Sequence, residues 1–593
     1  MKQSTNNKPK DSWDLSPLYK NIESWEKDFN KIDNLLKDFN AYKNKLSNNP
    51  QTLAEAYKKS DKLGRLLEKI YTYAHLKSDL DIGNSKNMAI LNRIRSKYAQ
   101  ISGSTAWFEP EILSIPEDKL KEYLNSNELK FYQRSLNEII RQKKHMLSAP
   151  EEKLLGLASD ALATPEKAFS ALNNVDIKFP EVSDETGNKI QLTHSLYTKL
   201  LENTNREIRK EAFNGMYDTF EKYKNTLSVT LEGNTKKHVF SSEIRNFDSA
   251  LQSSLHNDNV PVKVYESLIS AVHNNLDAFK DYLKLRSKIL KIDDLNMYDL
   301  HCPLIQEKNV DISWEEACNM VGNAVKVLGE EYAEISETAF KNRWIDVYER
   351  PGKRSGAYSS GCFDSPPYIL MNYNGTLNDV FTLAHELGHS MHSYYSNKTQ
   401  EYHYADYKIF VAEVASITNE LILHDYLMKT SNDKSFKLNL LNHLANEIRG
   451  TVYRQTMFAE FEKNIHEDLE KGIPLTAESL SEKYYNLNAL YHPGIETPDK
   501  KIAIEWARIP HFYYNFYVYK YATGFSAAAT LAKGIIAKDK NKTDAYLNFL
   551  KAGSTKDVLD ILKAAGVDLN TPEPVNNALN LFRQTVNKIK SNF

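Results

Sequence analysis

Hydrophobic residues recur at helical spacing along most of the chain. One stripe, with steps mostly of three and four residues, consists of Ile32, Leu35, Leu36, Phe39, Tyr42 and Leu46. Similar amphipathic stretches cover residues 54–105, 120–172, 204–240 and 262–290, and this spacing places apolar side chains on one face of an α-helix. Only 21 Gly and 19 Pro interrupt the 593 residues, which favours long helices over a many-turned β architecture. The pattern predicts a mainly α protein.

Two segments depart from the helical period and predict strands. Val175, Ile177 and Phe179 alternate with other residues, and a turn signal at residues 183–188 follows, so we expect a β-hairpin there. The second segment contains three candidate strands, at residues 344–348, 356–359 and 368–373. They predict a small sheet that directly precedes the next helix.

That next helix carries the sequence His385-Glu386-Leu387-Gly388-His389. Residues four apart lie on the same helix face, one turn above each other. Two imidazoles at this spacing can therefore reach one tetrahedral zinc ion, with Glu386 beside a water on the metal. The motif predicts a catalytic zinc site.

Charge and cysteine content exclude several other classes of protein. The formal net charge is −2, from 76 basic and 78 acidic residues, so no basic field is available to hold nucleic acid or an anionic membrane. Three cysteines without a C-x-x-C pair argue against a disulfide framework and suit a reducing compartment. The N-terminal residues lack an apolar core, and no uncharged apolar run reaches 18 residues. We expect a cytoplasmic protein.

A catalytic zinc needs three protein ligands and one open position, so a third ligand has to follow the motif. The metzincin pattern requires Gly at position 392 and His at position 395, and it is excluded because this chain has His392 and Tyr395. We interpret His392 as a packed histidine or a hydrogen-bonding neighbour rather than a ligand. Cys362 is interpreted as a free thiol.

The acidic candidates downstream are Glu401, Asp406, Glu413 and Glu420. The first two lie in a loop-like stretch rich in tyrosine. Glu413 is embedded in the apolar run 410–417, where a carboxylate is costly unless it is paired or binds a metal. We therefore favour Glu413 as the third ligand, on a helix that returns antiparallel to the motif helix. Glu420 lies on the same face seven residues on and is expected to orient a ligand histidine.

The chemistry of such a site also needs a base and oxyanion donors. Glu386 would accept a proton from the attacking water and pass it to the leaving amine. Residues 506–524 contain His511 followed by five tyrosines. An aromatic stripe of this kind is often core, but so many hydroxyls, each needing a partner when buried, fit a polar cleft wall better.

Five blocks of the sequence together resemble the M3 family of zinc metallopeptidases, specifically its bacterial oligoendopeptidase F branch. The blocks are residues 356–359 (GAYS), 367–373 (PYILMNY), 383–392 (LAHELGHSMH), 410–416 (FVAEVAS) and 509–524, which begins with IPH. The blocks follow one another in order within a region of resemblance that covers roughly residues 200–580, and the helical N-terminal part is similar to the same branch. The joint pattern is far more specific than the H-E-x-x-H motif alone.

The resemblance implies one Zn²⁺ per chain, bound by His385, His389 and Glu413, with Glu386 as the general base. It also implies a mainly α, zincin-like fold with a small β-sheet beside the motif helix and two helical lobes flanking a deep substrate channel. The expected activity is cleavage of internal bonds in short unfolded peptides. Neither nucleic acid nor membrane is an expected partner.

Further residues receive roles from the same resemblance. The catalytic oxyanion and substrate donors are expected to be His511, Tyr514 and Tyr521, with Tyr517 left open. The residues expected to contact the peptide are Gly356, Ala357, Tyr358 and Tyr519. Glu420 and Asp379 are expected to support the zinc ligands.

The sequence divides into three predicted regions, an N-terminal helical region (1–110), a helical segment with the hairpin (111–200) and the catalytic domain (201–585). Two alternatives to an endopeptidase stay open, a zinc carboxypeptidase on a similar helical scaffold and a helical peptide-binding protein without catalysis. Intact Glu386 and a full ligand set speak against the second. Cleavage preference and oligomeric state cannot be predicted from the sequence.

Overall fold

A computed structural model describes residues 9–305, 311–495 and 497–593 of the chain. The predicted mainly α class is confirmed. The helices, in chain order, are α1 Ile22–Phe29, α2 Ile32–Asn40, α3 Pro50–Asp79, α4 Ser85–Thr105, α5 Phe108–Ser114, α6 Glu117–Leu124, α7 Gln133–Gln142, α8 Ala149–Leu162, α9 Thr164–Ala171, α10 His194–Leu201, α11 Arg206–Lys222, α12 Lys224–Ile244, α13 Ala250–His256, α14 Val262–His273, α15 Leu276–Leu290, α16 Trp314–Ala324, α17 Glu330–Lys341, α18 Leu377–Thr399, α19 Tyr402–Ala405, α20 Ile409–Thr430, α21 Lys434–Ile448, α22 Arg454–Glu470, α23 Ala477–Tyr491, α24 Tyr519–Ile536, α25 Lys540–Leu550, α26 Val558–Ala564 and α27 Glu573–Lys590.

The chain forms two compact units, each assembled from three separate stretches. The first unit comprises residues 1–144, 309–426 and 531–566, and the second comprises residues 145–308, 427–530 and 567–593. The boundaries predicted near residues 110 and 200 divide the chain by sequence rather than by compact units, and they stay a prediction.

The strands are short. They are β1 Glu181–Ser183, β2 Lys189–Gln191, β3 Ile345–Asp346, β4 Tyr358–Ser360 and β5 Tyr368–Leu370. In the first unit they form a sheet of order β3-β5-β4, in which β3 is parallel and β4 antiparallel to β5. Strands β3 and β5 fall within predicted segments, and β4 overlaps the predicted segment 356–359 but extends one residue beyond it. The predicted sheet before the motif helix is confirmed.

Helices from the start of the chain pack beneath this sheet in the first unit. Trp25 is fully buried, and its indole Nε1 donates to the Ile70 carbonyl at 3.0 Å. One hydrophobic cluster joins both residues to Tyr368 and Leu370 of β5. The N-terminal helices α1–α4 therefore hold the sheet that precedes α18.

In the second unit the predicted hairpin is present, but it begins later than the alternation suggested. β1 pairs antiparallel with β2, with Val182 opposite Ile190. Residues Leu172–Asp176 instead extend α9 as a π-helical turn. The prediction was wrong at this point because Val175 is 63% exposed and marks a helix surface rather than a strand face.

Two irregular segments of the second unit matter for later sections. A π-helix at Arg449–Tyr453 joins α21 to α22. Asn515 and Phe516 have φ values of 49° and 58°, a left-handed conformation that is unusual for a bulky residue such as Phe516. Across the described ranges, none of the helices combines the length and apolar character that crossing a membrane requires.

Candidate active site

The motif helix α18 is fixed at its N-terminus by a capping box. Thr376 accepts a hydrogen bond from the Asp379 backbone N–H at 3.1 Å, and the Asp379 carboxylate accepts from the Thr376 N–H at 3.0 Å. Such reciprocal bonds satisfy otherwise unpaired donors of the first turn. The helix then buries Val380, Leu383 and Leu387. This burial determines which face presents the two histidines.

A close approach of α20 to α18 depends on Gly388. A Cβ at this position would lie 2.5 Å from the Ser416 Cα and 2.7 Å from the Ala415 carbonyl oxygen, so no larger residue fits without movement. Asn419 Nδ2 donates to the Ala384 carbonyl at 3.2 Å and joins the same two helices. The packing brings Glu413 of α20 next to the motif histidines.

Three ligand-type atoms converge where the helices meet. His385 Nε2 and His389 Nε2 are 3.2 Å apart, and the Glu413 Oε2 atom lies 3.3 Å from the first and 3.6 Å from the second. Two atoms that each bind one tetrahedral zinc at about 2.05 Å are separated by about 3.3 Å. The triangle of His385, His389 and Glu413 therefore has the dimensions of a zinc site.

Each histidine is oriented by a second hydrogen bond. His385 Nδ1 contacts Glu420 Oε1 at 2.6 Å, which orients the ring so that its Nε2 atom faces the triangle. The His389 ring bonds the backbone of Ala412. Outer partners of this kind fix ring orientation and raise ligand basicity. The structure places Glu420 beside His385, and its role in supporting a zinc ligand stays a prediction.

The charges of the triangle are strongly coupled. Burial lowers the pKa of His385, but hydrogen bonds to Glu413 and Glu420 outweigh it and hold this pKa well above its ordinary value. Burial, with the His385 charge adding, lowers the pKa of His389 to about 4. Burial raises the pKa of Glu413, but the two histidines outweigh it and lower this pKa to about 2. The ionised carboxylate and neutral His389 are the forms in which these groups bind a metal.

Glu386 is nearly enclosed, with 7% of its surface exposed. Burial raises the pKa of its carboxyl to about 7, against the charge of His385 and a hydrogen bond from the Ser359 backbone. Ser359 belongs to β4, and its Oγ lies 2.8 Å from Ser390 Oγ of α18. Strand β4 is thus joined to the motif helix beside the carboxyl.

The three residues predicted to contact a peptide near β4 have different surroundings. Gly356 has φ +84°, and its carbonyl accepts from Asn372 Nδ2 at 2.7 Å. Ala357 is half-buried. The Tyr358 hydroxyl donates to Asp79 Oδ2 at 2.8 Å, so this hydroxyl is already committed within the protein.

Asp379 does not have the surroundings predicted for it. Its Oδ2 atom accepts from the backbone N–H groups of Asn374 and Thr376, both at 3.0 Å, and from the Thr376 hydroxyl at 2.9 Å. These bonds cap the helix, and among the described residues none joins Asp379 to a ligand of the triangle. Its local role is to begin α18.

The late histidine and tyrosines lie in the second unit. His511 Nε2 is 3.4 Å from the Tyr521 hydroxyl, and its ring contacts Tyr514, which is 49% exposed. Tyr519 instead is fully buried and packs against Tyr265. The structure groups His511, Tyr514 and Tyr521 and separates Tyr519 from them, and the burial of Tyr519 argues against the predicted peptide contact.

Other sequence candidates for a metal ligand lie outside the triangle. His392 is buried and stacks on Tyr407 with ring centroids 3.6 Å apart. Glu401 precedes α19 as its N-cap residue, and Asp406 follows the same helix. Among the described residues, the group of potential ligands that converges is the one formed by His385, His389 and Glu413.

Three residues that support the site were not identified from the sequence. Ser359 contacts Glu386 and Ser390, Asn419 joins the two helices, and Ala412 contributes a backbone group to His389. Ser359 and Ala412 lie inside blocks that carried the family resemblance, so their position was a usable signal. Asn419 directly precedes Glu420 and gave no signal of its own.

Comparisons with known proteins agree with this geometry. The model of peptidase family M3 matches residues 199–581, and the model named Oligopeptidase F matches residues 111–179. Oligopeptidase PepF of Bacillus subtilis is 44% identical over 98% of this chain and 87% of its own length. The chromosomal oligoendopeptidase F of Lactococcus lactis subsp. cremoris is 39% identical over 98% of this chain and 96% of its own.

Solved structures show the same fold. A structure from Chlamydophila abortus, described as a candidate peptidase, has a TM-score of 0.93 with 37% identity and covers 99% of both chains. Oligoendopeptidase F from Enterococcus faecium has a TM-score of 0.74 with 35% identity, over 96% of this chain and 99% of the other.

The fold and the matches together define a metallopeptidase that cleaves oligopeptides at internal bonds. The chain belongs to peptidase family M3.

Proposed function

We propose that the enzyme holds one Zn²⁺ per chain on His385, His389 and Glu413 and hydrolyses internal bonds of short unfolded peptides. The observation that carries this proposal is the triangle of ligand atoms, with sides of 3.2, 3.3 and 3.6 Å. A zinc ion bound there supplies Lewis acidity, which lowers the pKa of water towards neutrality and polarises a peptide carbonyl.

Glu386 is proposed as the general base. Its carboxylate follows His385 directly on α18 and is almost dry, so it can take a proton from the attacking water without competition from bulk solvent. The same carboxyl group then delivers this proton to the nitrogen of the leaving amine. Both transfers use one side chain, which the Ser359 backbone holds in place.

Strand β4 is proposed to bind the peptide backbone. Among the described strands it pairs with β5 on one side, and its Ser359 contacts Glu386. An extended peptide that adds to such an edge is held by main-chain hydrogen bonds, which are independent of sequence. Gly356, Ala357 and Tyr358 would then lie along the peptide.

His511, Tyr514 and Tyr521 are proposed as donors to the substrate and the oxyanion. The support is their membership of a block that resembles the family, together with their grouping around His511 in the second unit. Removal of one oxyanion donor typically lowers kcat by about 100- to 1,000-fold. We expect a loss of this size for Tyr521→Phe, with KM little changed, in steady-state cleavage assays.

The ligand and base roles are tested by comparing Glu386→Gln with His385→Ala. We expect Glu386→Gln to retain one zinc per chain and lose about 100- to 10,000-fold in turnover, whereas His385→Ala loses both. Glu401→Gln, outside the triangle, serves as the matched control and should retain both. Elemental analysis and cleavage of peptides blocked at both ends are the measurements, and a zinc-free but active His385→Ala would contradict the assignment.

The blocked peptides also separate an endopeptidase from a carboxypeptidase, because only internal cleavage is available in them.

We further propose that the enzyme acts in the cytoplasm, since Cys302, Cys318 and Cys362 are free, as suits a reducing compartment. Fractionation of cells with antibody detection would test this location.

A further inference from the structure

The second unit contains a cavity of about 200 Å³. Its lining does not include His385, His389 or Glu413. Its lining includes three arginines, Arg449, Arg454 and Arg508, and one carboxylate, Glu505. Two histidines, His301 and His492, also line it. Nothing in the proposed hydrolysis uses these groups.

The Glu505 carboxylate accepts hydrogen bonds from two of the arginines and from two tyrosines. Its Oε1 atom accepts from Arg454 Nη2 at 2.7 Å and from Arg508 Nη2 at 2.8 Å. The hydroxyls of Tyr217 and Tyr484 donate to the two carboxylate oxygens at 3.0 and 2.6 Å. One negative charge therefore faces two positive charges, and the carboxylate has no capacity left for a third guanidinium.

Arg449 is that third guanidinium. It is 8% exposed, and its Nε atom is buried without a hydrogen-bond acceptor. Within the described ranges, no acidic side chain forms an ion pair with it, and Glu447, the nearest acid in sequence, is exposed. Burial lowers the pKa of Arg449 to about 10, with Arg286 and Arg454 adding to this shift and Tyr282 and Glu447 opposing it. A charge in this position is costly unless something compensates it.

The histidines do not supply the missing negative charge. Burial lowers the pKa of His492 to about 4, and burial together with nearby arginines holds the pKa of His301 well below its ordinary value. Both rings are neutral at physiological pH. The described lining therefore carries an excess of two positive charges.

A π-helical turn of the backbone brings Arg449 and Arg454 to the same cavity. Arg449 begins the π-helix Arg449–Tyr453, and both ends of this segment line the cavity, followed at once by Arg454. A π-helical turn inside a longer helix is rare and occurs frequently at functional sites. It rotates residues that a regular helix would place on a different face.

We propose that this cavity binds a small oxyanion, which Arg449 grips with its guanidinium fork while Arg454 and Arg508 add charge. A guanidinium offers parallel N–H donors that match two oxygens of a carboxylate, sulfate or phosphate. The oxyanion is either a free inorganic ion or the carboxylate of a peptide. This inference is independent of the proposed function, because no residue of the metal centre takes part.

The test uses the full chain and sulfate as the probe. We expect sodium sulfate, substituted for sodium chloride at constant ionic strength, to raise the Tm of the wild type saturably, as a ligand of the folded state does. Arg449→Gln should lose this saturable rise. Arg583→Gln, at a partly exposed arginine that pairs with Asp277, should retain it. Sulfate also stabilises proteins by exclusion from their surface, but that effect would be equal in all three proteins.

Equilibrium dialysis with radiolabelled sulfate gives the stoichiometry, which we expect to be one per wild-type chain and at least tenfold weaker in Arg449→Gln. Arg449→Lys, which retains the charge without the fork, should bind sulfate with an affinity between those of the wild type and Arg449→Gln. Equal sulfate binding by wild type and variants would overturn the proposal. A large fall in Tm for Arg449→Gln in sulfate-free buffer would overturn it too, because the protein itself would then satisfy the guanidinium.

A competition arm identifies the source of the oxyanion. Short peptides with a free C-terminal carboxylate, and the same peptides as amides, are added to the chelator-treated protein with labelled sulfate. Displacement by the acids alone assigns the cavity to a peptide carboxylate. Displacement by neither, with sulfate binding intact, assigns it to a free inorganic anion.

Discussion

Glu420 and Asp379 both carry a carboxylate near the motif, yet only Glu420 contacts a residue proposed to bind zinc. Glu420 lies two turns after Glu413 on α20, and this spacing retains one helix face, so it reaches His385 Nδ1 at 2.6 Å. Asp379 lies in the first turn of α18, where backbone N–H groups compete for its oxygens. A sequence pattern shows which residues share a helix face, but it does not show which hydrogen-bond donors lie close to a given carboxylate.

The two carboxylates therefore make a matched pair of variants. We expect Glu420→Gln to weaken zinc binding about 10- to 100-fold, because His385 Nδ1 then faces a neutral amide oxygen, which is a weaker acceptor than the carboxylate. Asp379→Asn should leave zinc affinity unchanged and lower the stability of α18 by about 0.3–1 kcal/mol, because it removes a negative charge from the first turn of the helix. Competition with a zinc chelator and thermal unfolding measure the two effects, and equal zinc affinities for both variants would contradict this division of roles.

Among residues assigned from the sequence, the tyrosines were the hardest to place. Burial of Tyr519 and exposure of Tyr514 depend on the turn at Asn515 and Phe516, where two successive left-handed residues interrupt any helical period. Periodicity cannot predict side-chain direction across such a break. The histidine and glutamate ligands, by contrast, lie within uninterrupted helices, where spacing determines the face.

At the scale of elements, the contact between α18 and α20 depends on a single missing side chain. We expect Gly388→Ala to push Ser416 away, because its Cβ would lie 2.5 Å from the Ser416 Cα, and overpacking of this kind typically costs about 1–3 kcal/mol. Glu413 would move with its helix, so zinc affinity should fall as well. Unfolding in urea and zinc titration are the measurements.

Gly103→Ala is the control for this substitution. Gly103 lies in α4, and a Cβ there meets nothing within 4 Å, so the variant should be more stable by about 0.5–1 kcal/mol through helix propensity alone. If Gly388→Ala behaved in the same way, close packing would not explain the glycine in the motif.

Sequence spacing predicted the long helices because each buries one face. The strands of the small sheet do not alternate in burial, since β3 and β5 are buried throughout and β4 is half-buried throughout, and they were predicted from short segments rich in β-branched and aromatic residues. The hairpin was located less well, since Val175, Ile177 and Phe179 alternate by composition while the backbone from Leu172 to Asp176 is π-helical. The arginine-lined cavity was not predicted at all, because Arg449, Arg454 and Arg508 come together through the fold.

At the scale of the whole molecule, a buried acid in the second unit makes stability depend on pH. Glu462 is fully buried, with Oε1 accepting from the Phe516 N–H at 2.6 Å and Oε2 without a partner. Burial raises the pKa of its carboxyl from 4.5 to about 8. Between these values the folded state holds a proton that the unfolded state has lost, so the free energy of unfolding falls as pH rises.

His466, one turn along α22, acts in a different window. Burial lowers its pKa from 6.5 to about 4, so its contribution to stability falls only as pH drops below 6.5. Above pH 6.5 and up to about 8, Glu462 should lower the free energy of unfolding by at most about 1.4 kcal/mol per pH unit.

We expect Glu462→Gln to have a flatter profile of stability against pH than the wild type in this window, because the amide keeps an acceptor for the Phe516 N–H and does not titrate. Urea unfolding of both proteins between pH 6.5 and 8 is the measurement. Glu482→Gln, at an exposed position of α23, should follow the wild type. Parallel profiles for all three proteins would show that the Glu462 carboxyl is ionised in the folded state.

The division of each unit into three separate stretches could not be predicted from local patterns, which report on neighbours in sequence. It also has a consequence for biosynthesis. The ribosome delivers the chain from the N-terminus, yet His392 of the motif helix packs against Phe549, and Ser554 donates its backbone N–H to the Tyr404 carbonyl. A nascent chain that already contains His385, His389 and Glu413 still lacks these contacts. The unit that holds the metal centre can be completed only after residue 566 has emerged, which makes the active site a late product of translation.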